Sequence, residues 1–346
     1  MGTPLSVPGG KPASITSKEI EIPCVDEQLL HGHLFEPNQA TEPKRENTSP
    51  RQLVVIACAT GVRASYYHRY ATFLAEHGFT ALTFDYRGIG ASAPADLRDF
   101  TARWHQWGTE DIDAAVRWAR NHQPDGTVSF VGHSFGGFGV GLAPEAHHLA
   151  RILTVGAQHA YWRDYAKGYR AQFLTRWHLY MPLMTRASGY FRGKRRGWLE
   201  DLPRGVALDW ARSRKDFIKN APAGQQTGMR AAGQALRTPI LALATTDDPY
   251  ASLRAMKRAL AYTPQAPTFI HRLEPRAYGK ESIGHFGLFH SDYAESFWSQ
   301  TLIWLRDGID PWAAASGPLE GPQERPLRQG SPAGKNPGNR PATSRM

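Results

Sequence analysis

The feature that most constrains the fold is a regular alternation of short apolar runs with amphipathic helical stretches. The predicted strands are LVVIACA at 53–59, FTALTFDY at 79–86, TVSFVG at 127–132, ARILTVGA at 150–157, PILALAT at 239–245 and PTFIHRLE at 267–274, after two short strands within 18–36. Helices are predicted near 70–77, from Thr109, after Ser134, from about Ala251 and near 298–305. Because buried strands alternating with such helices favour a parallel sheet covered on both faces, we predict an α/β, doubly wound fold with a mostly parallel central sheet.

Three segments depart from this alternation. Residues 1–16 and 309–346 are rich in Pro, Gly and Ser without periodic apolar positions, which predicts a disordered N-terminus and a disordered C-terminal tail. Residues 157–236 contain many aromatic residues and no convincing strand. We predict that this segment is a basic, aromatic-rich helical cap, inserted into a core made of residues 17–156 and 237–308.

Positive charge is concentrated in the predicted cap. The whole chain carries a formal net charge of +10, and residues 157–236 alone contain eleven Arg and four Lys against five acidic residues, including the run Arg192-Gly-Lys-Arg-Arg. Such a segment attracts anionic substrates, a membrane surface or nucleic acid, although most charged runs are simply solvated. No zinc-finger, helix-turn-helix or RNA-binding signature accompanies the charge, so we predict no nucleic-acid partner.

Aromatic residues of the predicted cap have two possible roles. They could line an apolar acyl pocket, or they could hold the cap to the core, as aromatic side chains more often do. The residues concerned are Tyr161, Trp162, Trp177, Tyr180, Trp198 and Trp210.

The cysteine content and the terminal pattern bear on the compartment. Cys24 and Cys58 are the only cysteines and lie in separate apolar segments, so they indicate neither a disulfide framework nor a metal site. The chain has no apolar run of eighteen or more residues and no basic stretch followed by a long apolar core at its start. We therefore expect a cytoplasmic protein without a stable membrane anchor, and the oligomeric state stays open.

The strongest local signal is the sequence Gly132-His133-Ser134-Phe135-Gly136, which matches G-x-S-x-G where a strand ends and a helix begins. A sharp turn at this place holds the serine in a strained conformation and projects its hydroxyl above the edge of the sheet. The glycines provide the space that the turn needs. This context predicts that Ser134 is a nucleophile, which then requires a base and an acid elsewhere in the chain.

Candidates for both groups follow in the order nucleophile, acid, base that such sites use. The predicted strand at 239–245 runs into Asp247 and Asp248, at the sheet edge where open α/β folds bind ligands. His285 lies between two glycines in the loop after the last predicted strand, and His290 lies shortly beyond it. The order predicts His285 as the base, with His290 as the alternative, and leaves the two carboxylates open as the acid.

An acyl-transfer site also needs hydrogen-bond donors for the developing oxyanion, each worth about 2.7–4 kcal/mol where one has been removed. The backbone N–H of Phe135, directly after the serine, is one candidate. The second is the backbone N–H of Val62, in the loop Thr60-Gly61-Val62 that follows the strand at 53–59.

Together these segments resemble the α/β-hydrolase superfamily, and specifically the bacterial predicted hydrolases grouped with serine aminopeptidase and monoacylglycerol-lipase-like enzymes. The resemblance covers roughly residues 18–308 and is carried by ATGVRASYYHRYATFLAEHGFTALTFDYRGIGAS, GHSFGG, TTDDPY and IGHFGLF. It implies an α/β-hydrolase fold with an inserted cap, and it matches Ser134, His285 and Asp248, the acid directly before Pro249, to the family's catalytic triad.

Two further segments can be compared with the family. The stretch Asp85-Tyr86-Arg87-Gly88-Ile89-Gly90 resembles a family turn whose residues mainly shape a loop, so we assign it no chemistry. The pair Thr60-Gly61 stands where many relatives have His-Gly before the second oxyanion donor.

This set of residues predicts a serine hydrolase that cleaves a carboxylic ester through an acyl-enzyme intermediate. The expected partner is a small-molecule ester or acyl substrate, and the chemistry needs no metal and no organic cofactor. The same triad would also serve an amidase, an aminopeptidase or an acyltransferase. A different class of protein, a non-catalytic ligand-binding protein on a hydrolase scaffold, is the remaining alternative.

Overall fold

A computed structural model describes residues 14–38 and 52–313 of this chain. The predicted disorder of residues 1–13 and 314–346 lies outside the described residues. The first strand begins at Ile15, inside the segment predicted to be disordered, because its first residues pair with the end of the second strand. Residues 309–313, assigned above to the tail, are also described, and the Trp312 side chain among them is buried.

Eight strands form one sheet in the order β1-β2-β4-β3-β5-β6-β7-β8. The strands are β1 (Ile15–Pro23), β2 (Leu29–Pro37), β3 (Gln52–Ala57), β4 (Thr80–Phe84), β5 (Thr127–His133), β6 (Ile152–Val155), β7 (Ile240–Thr245) and β8 (Thr268–Leu273). β2 is antiparallel to both β1 and β4, and every other neighbouring pair is parallel. The predicted mostly parallel sheet is confirmed.

Helices cover both faces of this sheet. They are α1 (His68–Glu76), α2 (Asp113–His122), α3 (Phe135–Gly139), α4 (Arg170–Phe173), α5 (Met181–Ser188), α6 (Arg204–Ala211), α7 (Ala223–Ala235), α8 (Leu253–Leu260) and α9 (Ser299–Asp307). In β3 and β5 every residue after the first is buried, which requires cover on each face. Apolar and polar residues therefore do not alternate along these strands, because neither face of the sheet is exposed to solvent.

The insert, residues 157–236, connects β6 to β7 and contains α4, α5, α6 and α7. It has a single isolated β-bridge, between Phe191 and Leu202. The Trp210 ring stacks on Trp104 of the core, with ring centroids 5.8 Å apart, and on Trp177 of the insert at 4.8 Å. Trp210, supported by Trp177, thus holds the insert to the core, which is one of the two roles expected for these aromatic residues. No helix among the described residues has the length and apolar character needed to cross a membrane.

A buried ion-pair network fixes the turn after β4. Arg87 is 3% exposed, and its guanidinium contacts Asp111 at 2.5 Å and Asp26 at 2.5 Å. Within the same turn, the Asp85 carboxylate accepts hydrogen bonds from the Ala64 and Ala91 amides at 2.7 and 2.9 Å. These contacts shape the loop, as the resemblance implied for this stretch.

Removing Arg87 is expected to destabilise the protein strongly, because Asp111 would then be a buried carboxylate without its partner. We expect Arg87→Ala to lower the free energy of unfolding by about 3–5 kcal/mol in urea denaturation followed by tryptophan fluorescence. Arg98→Ala is the control, since the Arg98–Asp96 pair is exposed to solvent, and it is expected to leave the midpoint unchanged. Equal midpoints for the two variants would contradict this assignment.

Candidate active site

Ser134 occupies the sharp turn between β5 and α3. Its backbone has φ 55° and ψ −117°, a conformation that few residues other than glycine adopt and that persists only where the surroundings enforce it. The Ser134 amide donates to the Val155 carbonyl of β6 at 2.8 Å. A Cβ on Gly136 would lie 2.5 Å from the Ala57 carbonyl oxygen, so the helix after the serine can approach β3 only with glycine there. Strand end, turn and helix thus hold the serine at the carboxyl edge of the sheet.

His285 and Asp248 form a buried hydrogen-bonded pair at the same edge. The His285 Nδ1 and Asp248 Oδ2 atoms are 2.7 Å apart, and the two side chains are 4% and 2% exposed. The other carboxylate oxygen of Asp248 accepts from the Tyr250 and Ala251 amides at 2.8 and 2.9 Å. Because a carboxylate only accepts, Nδ1 carries the proton and Nε2 is left with a lone pair. Of the two adjacent aspartates, the structure brings Asp248 to the histidine.

Asp247 has a different role in the same loop. Its Oδ2 accepts hydrogen bonds from the Ser282 hydroxyl at 2.7 Å and from the Ile283 and Gly284 amides at 2.8 and 3.0 Å. Burial raises the pKa of Asp247, but the hydrogen bonds that it accepts outweigh this effect and leave the pKa below its usual value. Asp247 therefore anchors the segment that leads to His285.

His290 does not reach this site. Its side chain is 56% exposed, and its Nδ1 lies 3.0 Å from Asp292 Oδ1. Of the two predicted histidines, only His285 meets an aspartate that follows β7.

The end of β6 connects the serine to the histidine–aspartate pair. Gly156 follows the residue whose carbonyl binds the Ser134 amide. A Cβ on Gly156 would lie 3.0 Å from His285 Cε1 and 3.1 Å from Asp248 Oδ2. Ser134, Asp248 and His285 therefore converge around one strand end.

Gln158 is a site residue that sequence reasoning missed. Its Nε2 donates to Ser134 Oγ at 3.1 Å, while its Oε1 accepts from the Ala160 amide, which fixes the orientation of the side-chain amide. Among the described residues, no hydrogen bond joins Ser134 Oγ to His285. The position of Gln158, just beyond the carboxyl end of β6, was the available signal, because ligands bind along that edge.

His133, the residue before the serine, connects three loops of the site. Its Nε2 lies 2.9 Å from the His285 carbonyl oxygen, so this nitrogen carries the proton. Its Nδ1 then accepts from the Tyr67 hydroxyl at 2.7 Å, and that oxygen accepts from the Ala59 amide at 2.9 Å. Burial and the neighbouring His285 ring lower the pKa of His133 well below its usual value, so the ring is neutral. The donor and the acceptor of each hydrogen bond in this series, from the His285 carbonyl to the Ala59 amide, are therefore determined.

The two predicted oxyanion donors differ in their surroundings. Phe135 is the first residue of α3, so its amide has no carbonyl one turn earlier in the helix to bond. The Val62 amide donates to the Ala59 carbonyl at 3.2 Å within a turn. The Phe135 amide is thus the freer donor of the two.

Comparison with known proteins bears on the fold of the chain. A family model described as alpha/beta hydrolase fold matches residues 52–272, whereas no curated protein matches the chain. An esterase of Pyrococcus furiosus is similar in structure, with a TM-score of 0.53 and 15% identity over 87% of this chain and 95% of that one. An α/β hydrolase from a Penicillium species has a TM-score of 0.52 and 17% identity, over 84% and 98%.

The esterase domain of a Rhodothermus marinus protein is similar to the same degree, with a TM-score of 0.50 and 16% identity over 84% of this chain and 98% of that chain. At 15–17% sequence identity, these structural similarities establish the fold alone.

The chain of hydrogen bonds through Tyr67 predicts a stability effect. Tyr67→Phe would leave the His133 Nδ1 atom and the Ala59 amide buried without partners, and we expect the free energy of unfolding to fall by about 1–3 kcal/mol. Tyr66→Phe is the matched control, because the Tyr66 side chain is 38% exposed and water can replace its hydroxyl. Urea denaturation of the two variants checks this, and an equal effect of both would refute the role given to Tyr67.

Proposed function

The chain belongs to the α/β-hydrolase family, and on that premise we propose that it is a serine hydrolase that cleaves carboxylic esters through an acyl-enzyme intermediate. The observation that carries the proposal is the buried 2.7 Å pair of His285 and Asp248 beside a serine held at φ 55°. Such a pair gives the histidine a fixed tautomer, and the strained turn presents the serine hydroxyl.

The proposed reaction begins when Ser134 Oγ attacks the ester carbonyl carbon and His285 Nε2 takes the hydroxyl proton. Asp248 stabilises the imidazolium that results. As the tetrahedral intermediate collapses, the bond to the alcohol oxygen breaks and His285 returns the proton to that leaving group. Water then attacks the acyl-serine with His285 again as the base, which releases the acid and restores Ser134.

The Ser134 hydroxyl must turn for the attack, because its oxygen accepts from Gln158 and forms no hydrogen bond with His285 among the described residues. In the proposed mechanism the oxygen leaves Gln158 and points to His285 when a substrate enters. The Gln158 amide is then a donor without an acceptor beside the reacting carbon. We propose that the Gln158 amide and the Phe135 backbone amide donate to the developing oxyanion. The Val62 amide, if it also donates to the oxyanion, would share its hydrogen between the oxyanion and the Ala59 carbonyl.

Covalent labelling tests the proposed nucleophile. We expect a fluorophosphonate probe to label the wild-type protein and Ser65→Ala, which removes an exposed serine, but not Ser134→Ala. Asp248→Asn is expected to lower kcat by about 10⁴-fold, because the amide no longer fixes the histidine tautomer. Equal labelling of Ser134→Ala would instead favour a non-catalytic ligand-binding protein.

Substrate profiling separates ester cleavage from the other reactions of the same triad. Turnover of short and long p-nitrophenyl esters is to be compared with turnover of aminoacyl amides and with transfer of the acyl group to alcohols. Activity on amides alone would contradict the esterase proposal, and acyl transfer that exceeds hydrolysis would indicate an acyltransferase.

Gln158→Ala tests the role given to the side-chain amide. If the amide stabilises the oxyanion, kcat falls by about 10²-fold with little change in KM, as for other donors of this kind. Gln158→Glu is expected to be slower still, since a carboxylate would repel the oxyanion. A rise in kcat for Gln158→Ala would show that the residue only holds the Ser134 hydroxyl away from His285.

A further inference from the structure

A cavity of about 230 Å³ lies within the insert, apart from the residues assigned to hydrolysis. One part of its wall is apolar and aromatic, and the other part is cationic. The lining residues are Tyr180, Met184, Phe191, Arg192, Arg195 and Arg196.

The three arginines of this cavity pair with no carboxylate in the described part of the chain. Across residues 14–38 and 52–313, neither Arg192 nor Arg195 nor Arg196 takes part in an ion pair. The nearby acidic residues are engaged elsewhere. Glu200 pairs with Arg63 and Lys194 at 2.9 Å each, and Asp201 accepts from the Lys194 amide at 3.0 Å. The described residues therefore provide no ion-pair partner for these three guanidinium groups.

Two buried polar atoms of the lining also lack partners. Arg192 Nε and the Tyr180 hydroxyl are shielded from solvent and form no hydrogen bond with the described residues. Both atoms are inaccessible to solvent, so a ligand in the cavity would meet other atoms of these two side chains. Arg196 is positioned by the Tyr180 ring, whose centroid lies 5.3 Å from its guanidinium carbon.

We infer that this cavity binds the phosphate group of an organic phosphate. Guanidinium groups present paired donors that match phosphate oxygens. The cavity is smaller than a complete small-molecule site, which usually measures 300–1,000 Å³, so it fits a head group. Met184 and Phe191 provide an apolar wall for the carbon attached to the phosphate.

The organic phosphate could be a soluble molecule or a lipid head group at a membrane surface. Leu179 and Leu183, one turn apart on the segment that supplies Tyr180 and Met184, are 56% and 65% exposed. These leucines would contact acyl chains if the phosphate belonged to a lipid, and would have no ligand contact if it were soluble. The two sources share the same phosphate chemistry and can be distinguished experimentally.

Calorimetric titration of the full chain with phenyl phosphate, and co-sedimentation with phosphatidic acid vesicles against phosphatidylcholine vesicles, test the inference. Saturable binding of phenyl phosphate is expected, with affinity lowered at least about tenfold, or about 1.4 kcal/mol, in Arg192→Gln and in Arg195→Gln. Arg186→Gln is the control, because Arg186 is an exposed arginine of the insert outside the cavity, and its affinity is expected to equal that of the wild type.

The outcomes are separable. Binding of both phenyl phosphate and phosphatidic acid vesicles, with the vesicle interaction weakened by Leu183→Ser, assigns the site to lipid, and binding of phenyl phosphate alone assigns it to a soluble ligand. Absence of saturable binding by the wild type, or equal losses in Arg186→Gln and Arg195→Gln, overturns the inference. Circular dichroism of each variant shows whether a loss of affinity reflects the site or a change in the fold. Arg195→Gln changes an exposed side chain, so this variant tests the site if Arg192→Gln misfolds.

Discussion

The hydrogen bond between His285 Nδ1 and Asp248 Oδ2 is the contact on which the geometry of the site depends. Further hydrogen bonds fix both residues of this pair. Two backbone amides donate to the Asp248 carboxylate, and Asp247 accepts from two amides of the loop that carries His285. Because the pair is almost fully buried, these protein donors replace the water that would otherwise surround the carboxylate. The imidazole is therefore oriented before any substrate arrives.

The hydrogen bonds of His133 fix the positions of the other loops of the site relative to the histidine loop. A single neutral imidazole joins the histidine loop to the Tyr67 hydroxyl and, through it, to the loop after β3. The turn at Ser134 lies between these two loops, since His133 directly precedes Ser134. Displacement of any one loop would leave buried polar groups unpaired, and that penalty keeps the three together.

Much of this arrangement was predictable from the sequence, for reasons that are local. The apolar runs defined the parallel strands, and G-x-S-x-G at a strand end predicted the sharp turn in which Ser134 lies. The choice of Asp248 over Asp247 needed the resemblance to a family. The two aspartates are adjacent and chemically identical, and only the backbone of the turn decides which carboxylate points to His285. Gln158 and His133 escaped prediction because their partners are distant in sequence. The insert shows the same limit. Asp164 and Asp209 pair with arginines of the core, whereas Asp216 pairs with Arg230 inside the insert. Only the structure therefore shows which arginines of the insert form no ion pair with a described residue.

The most direct test of the central claim is to trap the acyl-enzyme. The wild-type protein would be mixed with a p-nitrophenyl ester, quenched in acid within the first turnovers and digested for peptide mass spectrometry. We expect an increase equal to the mass of the acyl group on Ser134, and no adduct in Ser134→Ala. Ester hydrolysis that proceeds without an adduct and survives Ser134→Ala would contradict it.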